Sequence, residues 1–128
     1  MAGDGSTARF TFPPHLPAGE SPQFQVDCSL SAGTRILALI GELDLASLQA
    51  LEAAADESSL NGASDVTLDL RRLTFIDSTG TRGVLRLSER CSHHGVGLTV
   101  VAGPRAVQKA LELTGVAERL TFRDGDSA

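Results

Sequence analysis

Aromatic residues are scarce in this sequence, which has no tryptophan, no tyrosine and five phenylalanines among 128 residues. Since 41% of the residues are nonetheless hydrophobic, the core must be built mainly from leucine, valine, isoleucine and alanine. The two cysteines are Cys28 and Cys91. They form no metal-ligand pair, so free thiols in a reducing cytoplasm are the simplest interpretation.

Positive charge is also in short supply, because 11 lysines and arginines stand against 16 acidic residues and leave a net charge of −5. A general nucleic-acid binder needs a basic surplus to neutralise phosphates, so that class is excluded. No apolar run approaches the roughly 20 residues of a membrane span, and the N-terminus shows no charged-then-apolar secretory pattern. We therefore expect a cytoplasmic protein without direct membrane insertion.

The length favours a single domain. Residues 1–22 are rich in glycine, proline, serine and alanine and are predicted to form a flexible or extended N-terminal arm. Residues 23–124 are predicted to form the folded domain, and residues 125–128 a short polar tail.

Hydrophobic periodicity predicts an opening hairpin that turns at residues 32–34, followed by strands that alternate with helices. The continuous apolar run of residues 36–40 is typical of a central strand covered on both faces. Strands are predicted at residues 24–30, 36–40, 65–70 and 98–101, with a short last strand at 120–122. The fold class is therefore α/β, with a mixed β-sheet and helices packed on it.

The most informative segment is the run Phe-Ile-Asp-Ser-Thr-Gly at residues 75–80, where a buried strand turns into a helix. An Asp or Ser at such a turn commonly caps the helix by accepting hydrogen bonds from its first N–H groups. The same geometry would also expose the hydroxyl of Ser78 at the positive end of a helix dipole. A phosphate attached there would act as a local electrostatic switch.

Catalytic alternatives have less support. The Gly-x-Ser-x-Gly pattern of a hydrolase nucleophile is absent, and His93 and His94 are neighbours whose side chains diverge on a helix. Asp77 alone cannot form a cation site, and no phosphate-binding glycine-rich loop of recognised form is present. No catalytic residue, metal or cofactor is therefore expected.

Four segments occur in the order found in a known family: 41–44 (Gly-Glu-Leu-Asp), 66–70 (Val-Thr-Leu-Asp-Leu), 75–80, and 110–115 (Ala-Leu-Glu-Leu-Thr-Gly). On these residues the chain, from about residue 24 to 123, resembles the STAS domains (sulphate transporter and anti-sigma factor antagonist). Within them it is most similar to the free-standing bacterial anti-anti-sigma factors. A lone Asp-Ser-Thr-Gly would be weak, but four segments in order are specific.

The resemblance implies a non-enzymatic partner switch in transcription regulation. In that family the unphosphorylated protein binds an anti-sigma factor that is also a serine kinase, which releases a sigma factor. The kinase then phosphorylates the serine after the motif's Asp, here Ser78, and a PP2C-type phosphatase restores it. The partner-binding residues implied are Glu42, Asp44, Asp77, Ser78, Thr79, Gly80, Thr81 and Arg82.

The chain departs from the family after the motif, where it has Thr81-Arg82-Gly83 in place of the common Leu-Gly. An arginine in the first helical turn opposes the helix dipole, but it can pair with a phosphate or an acidic partner. Two other interpretations stay open: a STAS scaffold or sensory subunit of a signalling assembly, and a STAS accessory subunit of a membrane transport system. The serine at position 78 favours partner switching over transport.

Overall fold

A computed structural model describes residues 8–12, 23–57 and 64–123 of the protein. In these ranges the chain forms five strands, three α-helices and one short 3-10 helix, at Ala117–Arg119. The strands are β1 (Ala8–Phe12), β2 (Phe24–Ser31), β3 (Thr34–Leu43), β4 (Asp65–Ile76) and β5 (Gly97–Val101). The helices are α1 (Leu48–Glu57), α2 (Ser78–His93) and α3 (Arg105–Leu113).

The strands form one mixed sheet in the order β1-β2-β3-β4-β5. The first three pair antiparallel, whereas β3, β4 and β5 run parallel to one another. Ala32 and Gly33 both have positive φ and form a two-residue hairpin turn between β2 and β3, as the twist of paired strands requires. The predicted fold class, a single α/β domain with a mixed sheet and packed helices, is confirmed.

One hydrophobic cluster joins the helices to the sheet, and it contains residues from all three helices and from β2 to β5. On β3, Leu37 and Leu39 are fully buried in this cluster, whereas Ile36, Ala38 and Ile40 are half-buried on the other face. The predicted cover on both faces is therefore only partly present, since one face is fully buried and the other half-buried. The continuous apolar run is real, but the helices cover one side of it.

The structure also differs from the predicted element bounds at two places. Ala8–Phe12, within the predicted arm, forms an edge strand that pairs with β2. Strand β4 continues six residues beyond the predicted end at Leu70, because after a bulge it stays paired with the second half of β3. Asn61–Gly62, a dipeptide that typically marks a loop, lies outside the described residues. The short last strand is present as a single bridge between Val100 and Phe122.

Because β3 and β4 are parallel, their carboxyl ends meet at one edge of the sheet, where Leu43 pairs with Ile76. Helix α1 starts after the first of these ends and α2 after the second. The segments 41–44 and 75–80, which lie more than 30 residues apart in the sequence, therefore become neighbours.

Candidate functional site

The site is built where β4 turns directly into α2. The N–H of Asp77 donates a hydrogen bond to the carbonyl oxygen of Leu43 at 3.3 Å, which ties the turn to the end of β3. Gly80 is buried against the same carbonyl, because an ideal Cβ at this position would overlap the Leu43 oxygen and lie 2.8 Å from Ile76 Cγ1. Glycine is therefore required for α2 to start so close to the sheet.

Asp77 is the N-cap of α2, with extended backbone angles (φ −102°, ψ −175°). Its Oδ1 accepts a hydrogen bond from the N–H of Gly80 at 2.8 Å, and its carbonyl accepts one from the N–H of Thr81 at 2.9 Å. The sequence left open whether Asp77 or Ser78 caps the helix, and the structure gives this role to Asp77.

Ser78 is consequently the first residue of α2 rather than its cap, and its side chain is exposed. Within the described residues its hydroxyl has no hydrogen-bond partner, although its carbonyl accepts a bond from the Thr81 hydroxyl at 2.8 Å. The residue therefore has a fixed backbone and a free hydroxyl. It also lies where the helix dipole and the first-turn N–H groups favour a negative charge.

Two of the predicted partner-binding residues are not on the surface. Gly80 is buried, and Thr81 has only 1% of its surface exposed and donates its hydroxyl back to Ser78. Their burial does not favour the predicted direct contact of these two residues with a partner. They hold the turn in place from beneath, while Thr79 is half-buried and Arg82 is exposed.

The predicted acidic pair lies beside this turn, in two different environments. Glu42 is exposed and pairs in register with Phe75 of β4. Asp44 is half-buried, and its Oδ1 accepts hydrogen bonds from the N–H (3.0 Å) and the hydroxyl (2.9 Å) of Ser47. Asp44 therefore stabilises the turn before α1, whereas the Glu42 side chain is exposed to solvent.

Two exposed apolar side chains near Ser78 were missed by the sequence analysis. Leu45 has 71% of its surface exposed and Phe75 has 48%. The signal for Phe75 was present, because successive side chains of a strand point to opposite faces and its neighbour Ile76 is buried. No comparable signal marks Leu45, which lies in the turn before α1.

The remaining candidate groups lie elsewhere. Cys91 is buried in the core, and burial raises the pKa of its thiol although the charge of Arg90 opposes this, as expected for a core-filling cysteine. His93 and His94 are exposed at the end of α2. In the described ranges, no three His, Cys, Asp or Glu residues are placed to hold a metal ion. A cavity of about 250 Å³ between α1 and α2 is lined by none of the predicted site residues.

The STAS domain family matches residues 25–127. The chain therefore belongs to this family, and the match includes both segments that meet at Ser78. No curated protein matches the chain. Among the residues that the structure describes, no helix is both long and apolar enough to cross a membrane.

Several solved structures share the fold. An anti-sigma factor antagonist from Mycobacterium paratuberculosis is 19% identical, with a TM-score of 0.65 over 97% of this chain and 91% of that one. The anti-sigma factor antagonist SpoIIAA in its unphosphorylated form is 21% identical (TM-score 0.62; 81% and 90%). The Bacillus cell fate determinant SpoIIAA in its phosphorylated form is 18% identical (TM-score 0.58; 81% and 94%). At these identities the likeness shows the fold.

Proposed function

We propose that this protein is an anti-sigma factor antagonist that works by reversible binding in the cytoplasm and not by catalysis. Its unphosphorylated form binds an anti-sigma factor with serine kinase activity, and this binding releases a sigma factor. Phosphorylation of Ser78 ends the binding, and a PP2C-type phosphatase reverses the modification. Family membership supports the general role, and SpoIIAA, which shares the fold, has been solved in a phosphorylated and an unphosphorylated form.

The observation that carries the proposal is the state of Ser78. Its hydroxyl is exposed and has no partner within the described residues, while Asp77, Gly80 and Thr81 fix the backbone around it. A kinase requires an accessible hydroxyl in a defined position, because the attacking oxygen must be aligned with the phosphoryl group. The Ser78 turn meets both requirements without any rearrangement of the fold.

Phosphorylation should change the binding surface far more than the fold. A phosphate adds about −1.5 to −2 charges at pH 7, and the start of α2 stabilises such a charge by about 0.3–1 kcal/mol at an exposed site. In the middle of a packed interface the same group brings bulk, desolvation and repulsion from acidic side chains. A penalty of roughly 2–4 kcal/mol would weaken binding about 30- to 1,000-fold.

The test compares two variants of one residue. Ser78→Ala should bind the kinase and resist inactivation by ATP, whereas Ser78→Asp should bind poorly. Both should keep the circular dichroism and melting temperature of the wild type. Titration calorimetry gives the two affinities, and peptide mapping after incubation with kinase and ATP should place one phosphate on Ser78. Tight binding by Ser78→Asp would contradict the switch, and a phosphate on Thr79 or Thr81 would contradict the assigned residue.

A further inference from the structure

Large apolar side chains are rarely exposed in this protein, and their distribution is uneven. The described residues contain three that are strongly exposed: Leu45 (71%), Phe75 (48%) and Leu113 (77%). Phe75 lies three residues before Ser78 on the strand that leads into α2. Leu45 lies two residues after Leu43, whose carbonyl holds the Asp77 turn. Leu113 is the last residue of α3, and this helix follows β5, which pairs with β4 only as far as Asp69, nine residues before Ser78.

Leu45 and Phe75 are exposed on rigid backbone. The turn that carries Leu45 is held by the bond from the Ser47 hydroxyl to the carbonyl of Glu42 at 2.6 Å. Phe75 is paired within the sheet, and its neighbour Thr74 donates a side-chain hydrogen bond to the Gly41 carbonyl at 3.0 Å. Neither side chain can withdraw from water by a small loop movement. Rigid, exposed apolar side chains lose little entropy on binding and commonly serve as interface anchors.

The nearness of Leu45 and Phe75 to Ser78 indicates which partner they would contact. A standard protein interface covers about 800 Å² on each side, which corresponds to a disc of about 16 Å radius. The backbone limits their separation from Ser78: Phe75 lies three residues before it, and Leu45 lies two residues after Leu43, whose carbonyl accepts the Asp77 N–H. An interface of that size around Ser78 is therefore wide enough to reach both side chains.

We infer that Leu45 and Phe75 are the apolar anchors through which the kinase that modifies Ser78 docks on this protein. This inference rests on the proposed function, because it takes the same kinase as the partner. The exposed carboxylate of Glu42 lies beside Phe75 in the sheet, so the partner surface should combine an apolar pocket with a basic group opposite Glu42. Arg82 lies one helical turn beyond Ser78 and would meet an acidic group of the partner, which would also repel a phosphate on Ser78.

The experiment uses the full chain and each purified serine kinase of the anti-sigma type encoded in the source genome. The kinase that phosphorylates Ser78 serves as the probe. Leu45→Ala and Phe75→Ala should each weaken binding about tenfold or more, as expected for a hot-spot residue. They should also lower kcat/KM for Ser78 phosphorylation by a similar factor. Leu113→Ala is the control, matched most closely to Leu45→Ala because the two leucines are 77% and 71% exposed, and it should stay within about twofold of the wild type.

The outcomes separate the inference from the proposed function. Wild-type binding by both Leu45→Ala and Phe75→Ala, with binding lost in Ser78→Asp, would overturn the inference and leave the switch intact. An equal loss in Leu113→Ala would also overturn it. If no such kinase binds or phosphorylates the wild type, the proposed function fails and the inference fails with it. Circular dichroism and thermal melting of each variant show whether a loss of binding reflects the contact or the fold.

Discussion

The two ends of helix α2 are closed in opposite ways. At its C-terminal end the backbone satisfies itself: the N–H of Val96 donates to the Cys91 carbonyl at 2.8 Å, and the N–H of Gly95 donates to the Ser92 carbonyl at 3.0 Å. Gly95 has a φ of +73°, so the end is a Schellman motif. Val96 is buried over it. This end needs nothing further.

At the N-terminal end of α2 the backbone is held against the sheet, but the side chains on the solvent side have no partner within the described residues. Asp77, Gly80 and Thr81 lock the backbone to the end of β3. Above them, the Ser78 hydroxyl lacks a partner within the described residues, and Leu45 and Phe75 are exposed nearby. A rigid base beneath unpaired groups is what a binding site requires. The comparison teaches that backbone groups complete one end of this helix, whereas the other end keeps an exposed hydroxyl with two exposed apolar side chains nearby, as the proposed function requires.

The largest difference in stability is expected when the glycine at each end of α2 is replaced by alanine. Gly80→Ala places a Cβ against the Leu43 carbonyl and Ile76. Overpacking of this kind should lower the free energy of unfolding by about 3 kcal/mol, despite a helix-propensity gain of about 1 kcal/mol. Gly95→Ala meets nothing within 4 Å but has a positive φ, so it should cost about 1–2 kcal/mol.

Urea unfolding followed by circular dichroism measures both variants, since the chain has no tryptophan to report by fluorescence. Binding of the kinase should fall in Gly80→Ala and stay unchanged in Gly95→Ala. Equal losses of stability at the two positions would show that the close approach at Gly80 is relieved by small movements of α2.

The second prediction concerns the cap of α2. Asp77→Ala removes the acceptor of the Gly80 N–H and should lower the free energy of unfolding by about 1 kcal/mol. Asp77→Asn keeps an acceptor oxygen and should stay close to the wild type. At the other end, His94→Ala removes the contact of the ring Nδ1 with the Arg90 carbonyl at 2.9 Å. It should cost less than Asp77→Ala, because this exposed contact only adds to a closure made by backbone groups. If the alanine variants at both ends were equally destabilised, the two ends would not differ in the way described.

Much of the fold and the position of Ser78 followed from the sequence, because both depend on local patterns. The alternation of apolar residues identifies the strands, and the Asp-Ser-Thr-Gly run after a buried strand identifies the turn. Such patterns lie within a few residues of the element that they specify. They can therefore be interpreted without knowledge of the tertiary contacts.

What the sequence analysis missed depends on packing between distant segments. Strand β4 runs past Leu70 because the second half of β3 lies beside it, and Gly80 and Thr81 are buried because α2 starts against Leu43. The exposure of Leu45 likewise follows from the turn before α1. A motif names the residues that matter at a site, but only tertiary contacts decide which of them face a partner.

The smallest expected effect concerns the charges at the two ends of α2, and it should change sign with the state of Ser78. Arg82 is exposed in the first turns of the helix, where a cation opposes the dipole by about 0.3–1 kcal/mol at most. Arg82→Leu should therefore raise the free energy of unfolding by a few tenths of a kcal/mol in the unphosphorylated protein. Arg90 lies in the last turn of α2, where a cation is favourable, and it pairs with Asp56. Arg90→Leu should therefore lower the free energy of unfolding slightly.

With phosphoserine installed at position 78 during synthesis, the expectation for Arg82→Leu reverses. Residues four apart on a helix are neighbours, and an ion pair between them contributes about 0.2–0.5 kcal/mol. The phosphate also turns the local charge negative, so the variant should now be less stable than its phosphorylated parent. Arg86→Leu, one turn further along α2, should show no reversal because its side chain is two turns from the phosphate. A double-mutant cycle from urea unfolding measures this coupling. Zero coupling between Arg82 and the phosphate would mean that the arginine, where this chain departs from its family, acts only on the partner.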